Sequence, residues 1–185
     1  MSRYLIRSID IILSTFLFLV CSPIILFLLL VCFIDTTKPI FVQERVGKDS
    51  KVFRLYKFRS MKIGTPDLPT HLVNSGSITR FGKFLRNTKL DELPQLINVI
   101  AGDMSFVGPR PCLPSQEELI AKRKRENLDR IRPGITGIAQ INNIDMSNID
   151  LLIETEKRMR NNSSLREYFR IIFKTIFLIV SKLIH

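Results

Sequence analysis

The feature that most constrains this chain is a stretch of 24 residues without a charge, Ile11 to Ile34. It exceeds the ~20 residues that a helix needs to cross the hydrocarbon layer of a bilayer, so a soluble core helix is a poor reading of it. A cleaved secretory signal is no better. Arg3 and Arg7 resemble a basic leader, but the apolar run is too long and no small-residue cleavage site follows it. Ser22-Pro23 interrupts the run near its middle. Proline removes a backbone donor and its ring clashes with the preceding turn, so a kink is expected there, with the Ser22 hydroxyl placed to satisfy a freed carbonyl. Basic residues lie on both sides, Arg3 and Arg7 before the run and Lys38, Arg45 and Lys48 after it, which gives no reason to send the N-terminus across. Two topologies stay open on these grounds: a kinked single-pass anchor and a re-entrant hairpin.

The remainder is basic and compact. A length of 185 residues predicts one domain, and 28 Lys and Arg against 17 Asp and Glu give a net charge of +11. Such a balance implies an acidic partner, whether phosphate, lipid headgroup or nucleic acid. Mean hydropathy is +0.14 although 24% of residues are charged, so the apolar residues must be concentrated in particular segments, and disorder is excluded. One such segment is the C-terminus, Leu165 to His185, where Ile171, Ile172, Phe173, Ile176, Phe177, Ile179, Val180 and Leu183 interleave with Arg166, Arg170, Lys174 and Lys182. This reads as an amphipathic helix lying in a membrane interface, against the alternative of a core helix with a solvated basic edge. Cys21, Cys32 and Cys112 form no CxxC, and the only histidines are His71 and His185, so neither a zinc site nor a disulfide frame is supported.

Between these segments, Ile40 to Val46 and Lys51 to Phe58 alternate in polarity around Gly47-Lys48-Asp49-Ser50, which predicts a β-hairpin. Helical patterns follow at Arg80 to Arg86, at Pro94 to Ala101 ended by Gly102, at Ser115 to Arg130 behind a Ser115…Glu118 capping box, and at Ser147 to Arg160 behind Ser147…Asp150. Two rigid loops, one with Gly108, Pro109, Pro111 and Pro114 and the other with Pro133, Gly134 and Gly137, each carry an arginine beside a proline.

Candidate chemistry concentrates in Thr88 to Leu96, where Asp91 and Glu92 precede an apolar helix. Neighbouring residues on a helix point about 100° apart, so they are no proton-sharing dyad. Thr88 as N-cap with Asp91 would be an ordinary capping box. Pro94, which prefers the first helical position, would instead leave both carboxylates in the entering turn, free to meet a ligand as nucleophile or metal ligand. Lys57, Arg59, Arg80, Arg86, Lys89, Arg110 and Arg132 surround the pair in sequence. Arg110 and Arg132 stand beside prolines, and a pre-organised guanidinium suits a phosphate. Lys122-Arg123-Lys124-Arg125, in contrast, reads as a solvated or lipid-facing edge. With no Gly-rich nucleotide loop, these features suggest phosphoryl chemistry on an anionic substrate, with a divalent cation between carboxylate and phosphate.

Four ordered stretches now resemble the bacterial sugar transferases, the small monotopic phosphoglycosyl transferases: Lys57 to Met61, Leu90 to Val99, Gly102 to Pro111, and Arg132 to Gln140. The resemblance is strong over residues 3 to 140 and implies an α+β fold, mostly α. It divides into a re-entrant membrane helix over residues 1–36, a cytoplasmic catalytic domain with a small β-hairpin over 37–162, and an amphipathic interfacial helix over 163–185. It implies transfer of a sugar 1-phosphate from a UDP-sugar to undecaprenyl phosphate, releasing UMP, as the first membrane step of surface glycan synthesis. Asp91 would be the nucleophile of a covalent phospho-sugar intermediate, with Glu92 binding Mg²⁺. Lys57, Arg59, Arg86, Arg110, Arg132 and Gln140 would hold phosphate or the rest of the donor, and Ser22 and Pro23 would break the membrane helix. Arg7 and Asp10 match the family's Arg-x-x-Asp.

The implied setting is the inner face of a bacterial cytoplasmic membrane, with the bilayer and downstream glycosyltransferases as partners and no nucleic acid. After Gln140 the chain departs from the family's usual Gly-Arg-Asn-type segment, having Ile141-Asn142-Asn143. Two competing readings are a membrane-anchored basic protein for nucleic acid or lipid, and a metal-dependent nucleotide-sugar hydrolase. The first lacks a nucleic-acid motif.

Overall fold

In the computed structural model, which describes residues 3–66, 75–162 and 164–184, the uncharged run forms two helices, α1 (Arg3–Val20) and α2 (Ser22–Thr36), bent by 63° at their junction. The break has a local cause. Pro23 lacks the N–H that would reach the Leu19 carbonyl, and the Ser22 hydroxyl donates to that oxygen instead, at 2.7 Å. The ladder resumes where Ile25 N–H donates to Cys21 O at 2.8 Å. No single described helix is long and apolar enough to cross a membrane, whereas the bent pair passes that test together. His71 and His185 lie outside the described residues.

The hairpin forms as the alternation predicts, β1 (Ile40–Val46) pairing antiparallel with β2 (Val52–Phe58). Then come α3 (Arg80–Thr88), α4 (Gln95–Ala101), β3 (Ser105–Val107), α5 (Glu117–Arg125), β4 (Gly134–Thr136), α6 (Ile138–Ile141), α7 (Ile149–Asn161) and α8 (Leu165–Ile184). Two predicted capping boxes do not form. At α5 the Gln116 side chain closes the preceding loop, accepting from Leu113 N–H at 2.9 Å, and the helix stops at Arg125 because Asn127 turns left-handed at φ 54°. At α7 the cap is Asn148, which accepts from Leu151 N–H at 3.1 Å, while Ser147 bonds to Asp145.

Both membrane-type helices are half absorbed by the globular part. α1 turns Ile6, Ile9, Leu13 and Leu17 toward a core of Leu55, Leu96, Val99, Met104, Phe106 and Tyr168, while Ile12, Phe16, Leu19 and Val20 stay exposed. α2 sets Leu28 and Cys32 against Phe58 and Leu85, leaving Leu26, Phe27, Leu30, Phe33 and Ile34 exposed. α8 does likewise, burying Tyr168 and Ile171 but exposing Phe173, Ile176, Phe177, Val180 and Leu183. Each end of the bent pair is also fastened by polar bonds. Arg7 donates to the carbonyls of Val99 and Ile100 at 2.6 and 2.9 Å. Asp10 accepts from Ser105 Oγ, Phe106 N–H and Tyr168 OH at 3.0, 3.1 and 2.7 Å, which joins α1, β3 and α8 through one buried carboxylate oxygen. At the far end Asp35 accepts from the hydroxyl of Thr79, the N-cap of α3, at 2.7 Å.

Asp10→Ala is therefore expected to lower unfolding stability by about 3 kcal/mol or more, because it strands three buried donors that no water shell can reach freely. Chemical unfolding in detergent measures this directly. A loss well under 1 kcal/mol would mean that Asp10 joins nothing of consequence.

One small ladder orders the two arginine-proline loops. β3 and β4 pair parallel, Ser105 opposite Gly134 and Val107 opposite Thr136. The approach is so close that a Cβ on Gly108 would lie 2.2 Å from Arg132 O and one on Gly134 2.1 Å from Gly108 N, so only glycine fits at either place.

Candidate active site

The Asp91–Glu92 pair sits in a tight turn rather than in a helix. Lys89 turns left-handed at φ 60° and closes α3 by donating to Arg86 O, Leu90–Glu92 makes one 3₁₀ turn, and Pro94 precedes α4 with no side-chain cap. Thr88 does not cap the pair; its hydroxyl donates backward to Phe84 O at 2.9 Å. Of the two readings left open by the sequence, the proline-led one is therefore what the chain adopts. Asn98 then fixes α4 against the hairpin. Fully buried, it accepts from Tyr56 N–H at 3.1 Å and donates to Arg54 O at 2.7 Å, standing in for a neighbouring strand on β2. That registration places Lys57 of β2 beside the turn, its ammonium 3.0 Å from Glu92 Oε1.

Burial and charge separate the two carboxyls. Burial pushes Glu92 up, but Lys57, Lys89 and Arg110 outweigh it and hold the carboxyl down to about 2. Asp91 goes the other way: burial, and then the neighbouring Glu92 charge, raise it above the ordinary range despite Lys57, Lys89 and Arg86. Burial likewise lowers the Lys57 ammonium, with Glu92 opposing. Glu92 is thus a fixed anion, and Asp91 a carboxylate of enhanced basicity. Asp91 is 6% exposed, and its Oδ1 has no hydrogen-bond partner.

Glu92 lines a cleft of about 750 Å³ whose lining is of two kinds, charged and apolar. Arg45, Arg86, Lys89, Arg110 and Gln140 share its lining with Leu17 of α1, Cys21 at the junction of α1 and α2, and Leu178, Ile179 and Lys182 of α8. Gln140 donates to Ile135 O at 3.2 Å, and its Oε1 is buried without a partner. Asn143, Ile144, Asp145 and Met146 complete one wall, so the segment that departs from the family pattern borders the cleft. Buried acceptors without a partner beside a cationic cleft are groups that a hydrogen-bonding ligand can satisfy.

The expected residues divide into two sets. Lys57, Arg86, Asp91, Glu92, Arg110 and Gln140 gather at or beside the cleft. Arg59 does not: it donates to Lys38 O at 2.9 Å and lies 5.3 Å above the Phe41 ring, tying down the start of the hairpin. Arg132 does not either, and donates to Gly102 O at 2.8 Å. The parallel ladder explains why. Arg110 follows the end of β3 and Gln140 the end of β4, whereas Arg132 precedes β4 and so falls at the opposite end.

Three contributors escaped the sequence reading. Arg45 lines the cleft and donates to Pro111 O at 3.2 Å, and Asn98 was hidden as one polar residue in an apolar helix. The third overturns an expectation: Arg123 is no solvated edge but 7% exposed, paired with Glu156 at 2.5 Å and donating to Arg110 O at 3.0 Å. The neighbours Lys124 and Arg125 do stay exposed.

The sequence that builds this site has relatives. The model of the bacterial sugar transferase family matches residues 1–182, and the chain belongs to that family. It is 38% identical over 187 residues to the UDP-glucose:undecaprenyl-phosphate glucose-1-phosphate transferase of Escherichia coli K12, covering 95% of this chain and 40% of that protein. To the undecaprenyl-phosphate galactose phosphotransferase of Salmonella typhimurium LT2 it is 33% identical over 194 residues, 94% of this chain and 40% of that one. An exopolysaccharide production protein of Rhizobium leguminosarum bv. phaseoli is 40% identical over 152 residues, covering 76% of this chain and 75% of its own length. The chain thus spans about two fifths of the length of the first two relatives.

Proposed function

We propose that this chain transfers a sugar 1-phosphate from a UDP-sugar to undecaprenyl phosphate, yielding UMP and the undecaprenyl-diphosphate sugar that begins a surface polysaccharide. The observation that carries the proposal is a single cleft lined both by cations with the Glu92 carboxylate and by apolar side chains of α1 and α8. A phosphate-headed lipid needs both surfaces at once, and a soluble nucleotide hydrolase needs only the first. The family membership and the names of the relatives agree with this reaction.

In the first step an Asp91 carboxylate oxygen attacks the β-phosphorus of the donor and the bond to the α-phosphate oxygen breaks, so UMP leaves. In the second a phosphate oxygen of the lipid attacks the same phosphorus, and the bond to Asp91 breaks to restore the carboxylate. Arg86, Lys89 and Arg110 offset the charge of the diphosphate, and Arg45 and Gln140 border the same space. The donor set also fits a magnesium ion: adjacent carboxylates beside a cationic cleft, with Asp91 Oδ1 unpartnered. No group of three His, Cys, Asp or Glu among the described residues could hold a metal alone, so an ion bound here would have to complete its shell with phosphate and water. Glu92 would hold the ion, which would supply charge neutralisation at the diphosphate.

The bent helix pair is read as re-entrant. Arg7 and Asp10 at one end and Asp35 at the other are bonded to the same globular body, and the inner faces of both helices are used by its core. A single pass would have to tear one end away. Dipping into one leaflet sets the cleft at the depth of lipid phosphates, with the catalytic body on the cytoplasmic side, so acceptor and donor meet without the lipid leaving the membrane.

Detergent-purified protein incubated with Mg²⁺, undecaprenyl phosphate and a panel of UDP-sugars is expected to release UMP from at least one donor, only when the lipid is present for multiple turnovers, and to stop when the metal is chelated. Release of UMP at the same rate with water as acceptor would replace the transferase by a hydrolase. Silence across the panel from folded protein would count against both.

A further inference from the structure

A second cavity, of about 410 Å³, shares no lining residue with the cleft: Ser105 and Val107 of β3 line it, whereas Phe106 between them lines the cleft. Its wall carries five cations, Arg7, Lys48, Arg130, Arg132 and Arg160, against two carboxylates, Asp10 and Glu167. Asp10 and Asp103 attract the Arg7 guanidinium, but neither wall acid forms an ion pair with any of the five. Asp10 spends one oxygen on three donors, and Glu167 is forked by Arg170 of its own helix. Lys48 alone among the five has an acidic partner, Asp49 at 3.5 Å. Arg7, Arg132 and Arg160 donate to main-chain carbonyls, Arg160 to Glu126 O at 2.5 Å, and Arg130 has no partner among the described residues. Five cations against two carboxylates in one concavity leave an excess of positive charge, which raises a local potential that an anion relieves.

The remaining lining chooses the kind of anion. Ile6, Val107, Ile131, Met159 and Ile171 make much of the wall apolar, which a free inorganic ion does not use. The cavity lies between the first turns of α1 and α8, where Tyr4, Leu5, Phe169 and Phe173 point outward and exposed. We propose that this cavity binds the phosphate of an anionic glycerophospholipid headgroup at the bilayer surface, as a site separate from the one that handles the acceptor lipid. The proposal rests on the membrane attachment read above. It gives Arg132 a phosphate to hold, though not one in the reaction.

The test uses the whole protein in nanodiscs of phosphatidylcholine containing a minor fraction of phosphatidylglycerol, followed by detergent extraction and mass spectrometry of the lipid that stays bound. Wild type is expected to retain phosphatidylglycerol in preference to phosphatidylcholine. Arg130→Gln/Arg160→Gln should reduce that enrichment roughly thirtyfold, since each cation near an anionic surface contributes about 1 kcal/mol. Arg130→Gln alone, which breaks no bond, should lower it several-fold and serves if the double variant unfolds. Lys124→Gln/Arg125→Gln removes the same charge from the exposed edge and should leave the enrichment unchanged. Equal losses in both double variants would reduce the effect to net charge and overturn the site. Displacement of the lipid by inorganic phosphate would overturn the lipid as its source. Protein that inserts without any lipid preference would refute the cavity alone, whereas protein that enters no nanodisc would refute the membrane attachment and the cavity's ligand with it.

Discussion

Asp91→Asn is expected to lower the rate of UMP release by at least about 10³-fold while leaving the protein folded and as stable as the parent. The first half follows from chemistry: an amide keeps the shape of the side chain but offers phosphorus no anionic oxygen. The second follows from the direction of the Asp91 shift. A carboxyl raised above its ordinary range by burial and by the Glu92 charge is one whose ionised form the fold disfavours, so a neutral isostere removes a cost near neutral pH. Loss of activity without loss of stability is what separates a nucleophile from a buried structural acid. Incubation with the productive UDP-sugar but no lipid sharpens the test, since wild type should gain the mass of one sugar phosphate on the peptide holding Asp91 and the variant should gain none. A variant that still turned over within tenfold of wild type would remove Asp91 from the chemistry, and a variant that unfolded would make the residue structural.

Much of this was open to reading in the sequence, and the exceptions share a cause. The Ser22-Pro23 break is local: a missing N–H four residues after Leu19 and a hydroxyl one residue earlier determine it, so sequence and structure agree. The hairpin follows from alternation over two short runs in the same way. The Asp91–Glu92 turn was legible only as a choice between Thr88 capping and Pro94 leading, and the choice depended on Lys89 accepting a left-handed conformation. Arg132 and Arg59 show where local reading stops. Both stand in motifs with the chemistry of a phosphate site, yet which end of a parallel ladder a residue occupies depends on a pairing between segments some thirty residues apart in sequence. Arg110 and Arg132 look equivalent along the chain and are opposed in space. The same limit hid what Asp10 holds, since its partners Ser105, Phe106 and Tyr168 come from remote segments.

Arg123 carries the other large expectation, because nothing in Lys122-Arg123-Lys124-Arg125 distinguishes it until its partner is known. Its guanidinium holds Glu156 of α7 through both Nε and a terminal nitrogen, and the same side chain donates to the Arg110 carbonyl. Arg123→Met should therefore cost about 3–5 kcal/mol in unfolding free energy, most of it from leaving Glu156, 2% exposed, as an uncompensated buried charge. Adding Glu156→Leu should recover most of that loss, since a packed apolar pair of similar volume replaces a buried ion pair at little or no cost. What the second substitution cannot restore is the bond to Arg110 O. Stability and catalysis should accordingly part company in the double variant: folding near that of wild type, but a KM for the UDP-sugar raised by roughly tenfold, as one charge-assisted hydrogen bond to the loop that aims Arg110 into the cleft is lost. Unfolding in urea and steady-state kinetics on the same preparations measure the two effects. If the double variant regained its full KM together with its stability, the ion pair would be architecture alone, and the Pro109-Arg110-Pro111 loop would be stiff enough to aim its arginine unaided.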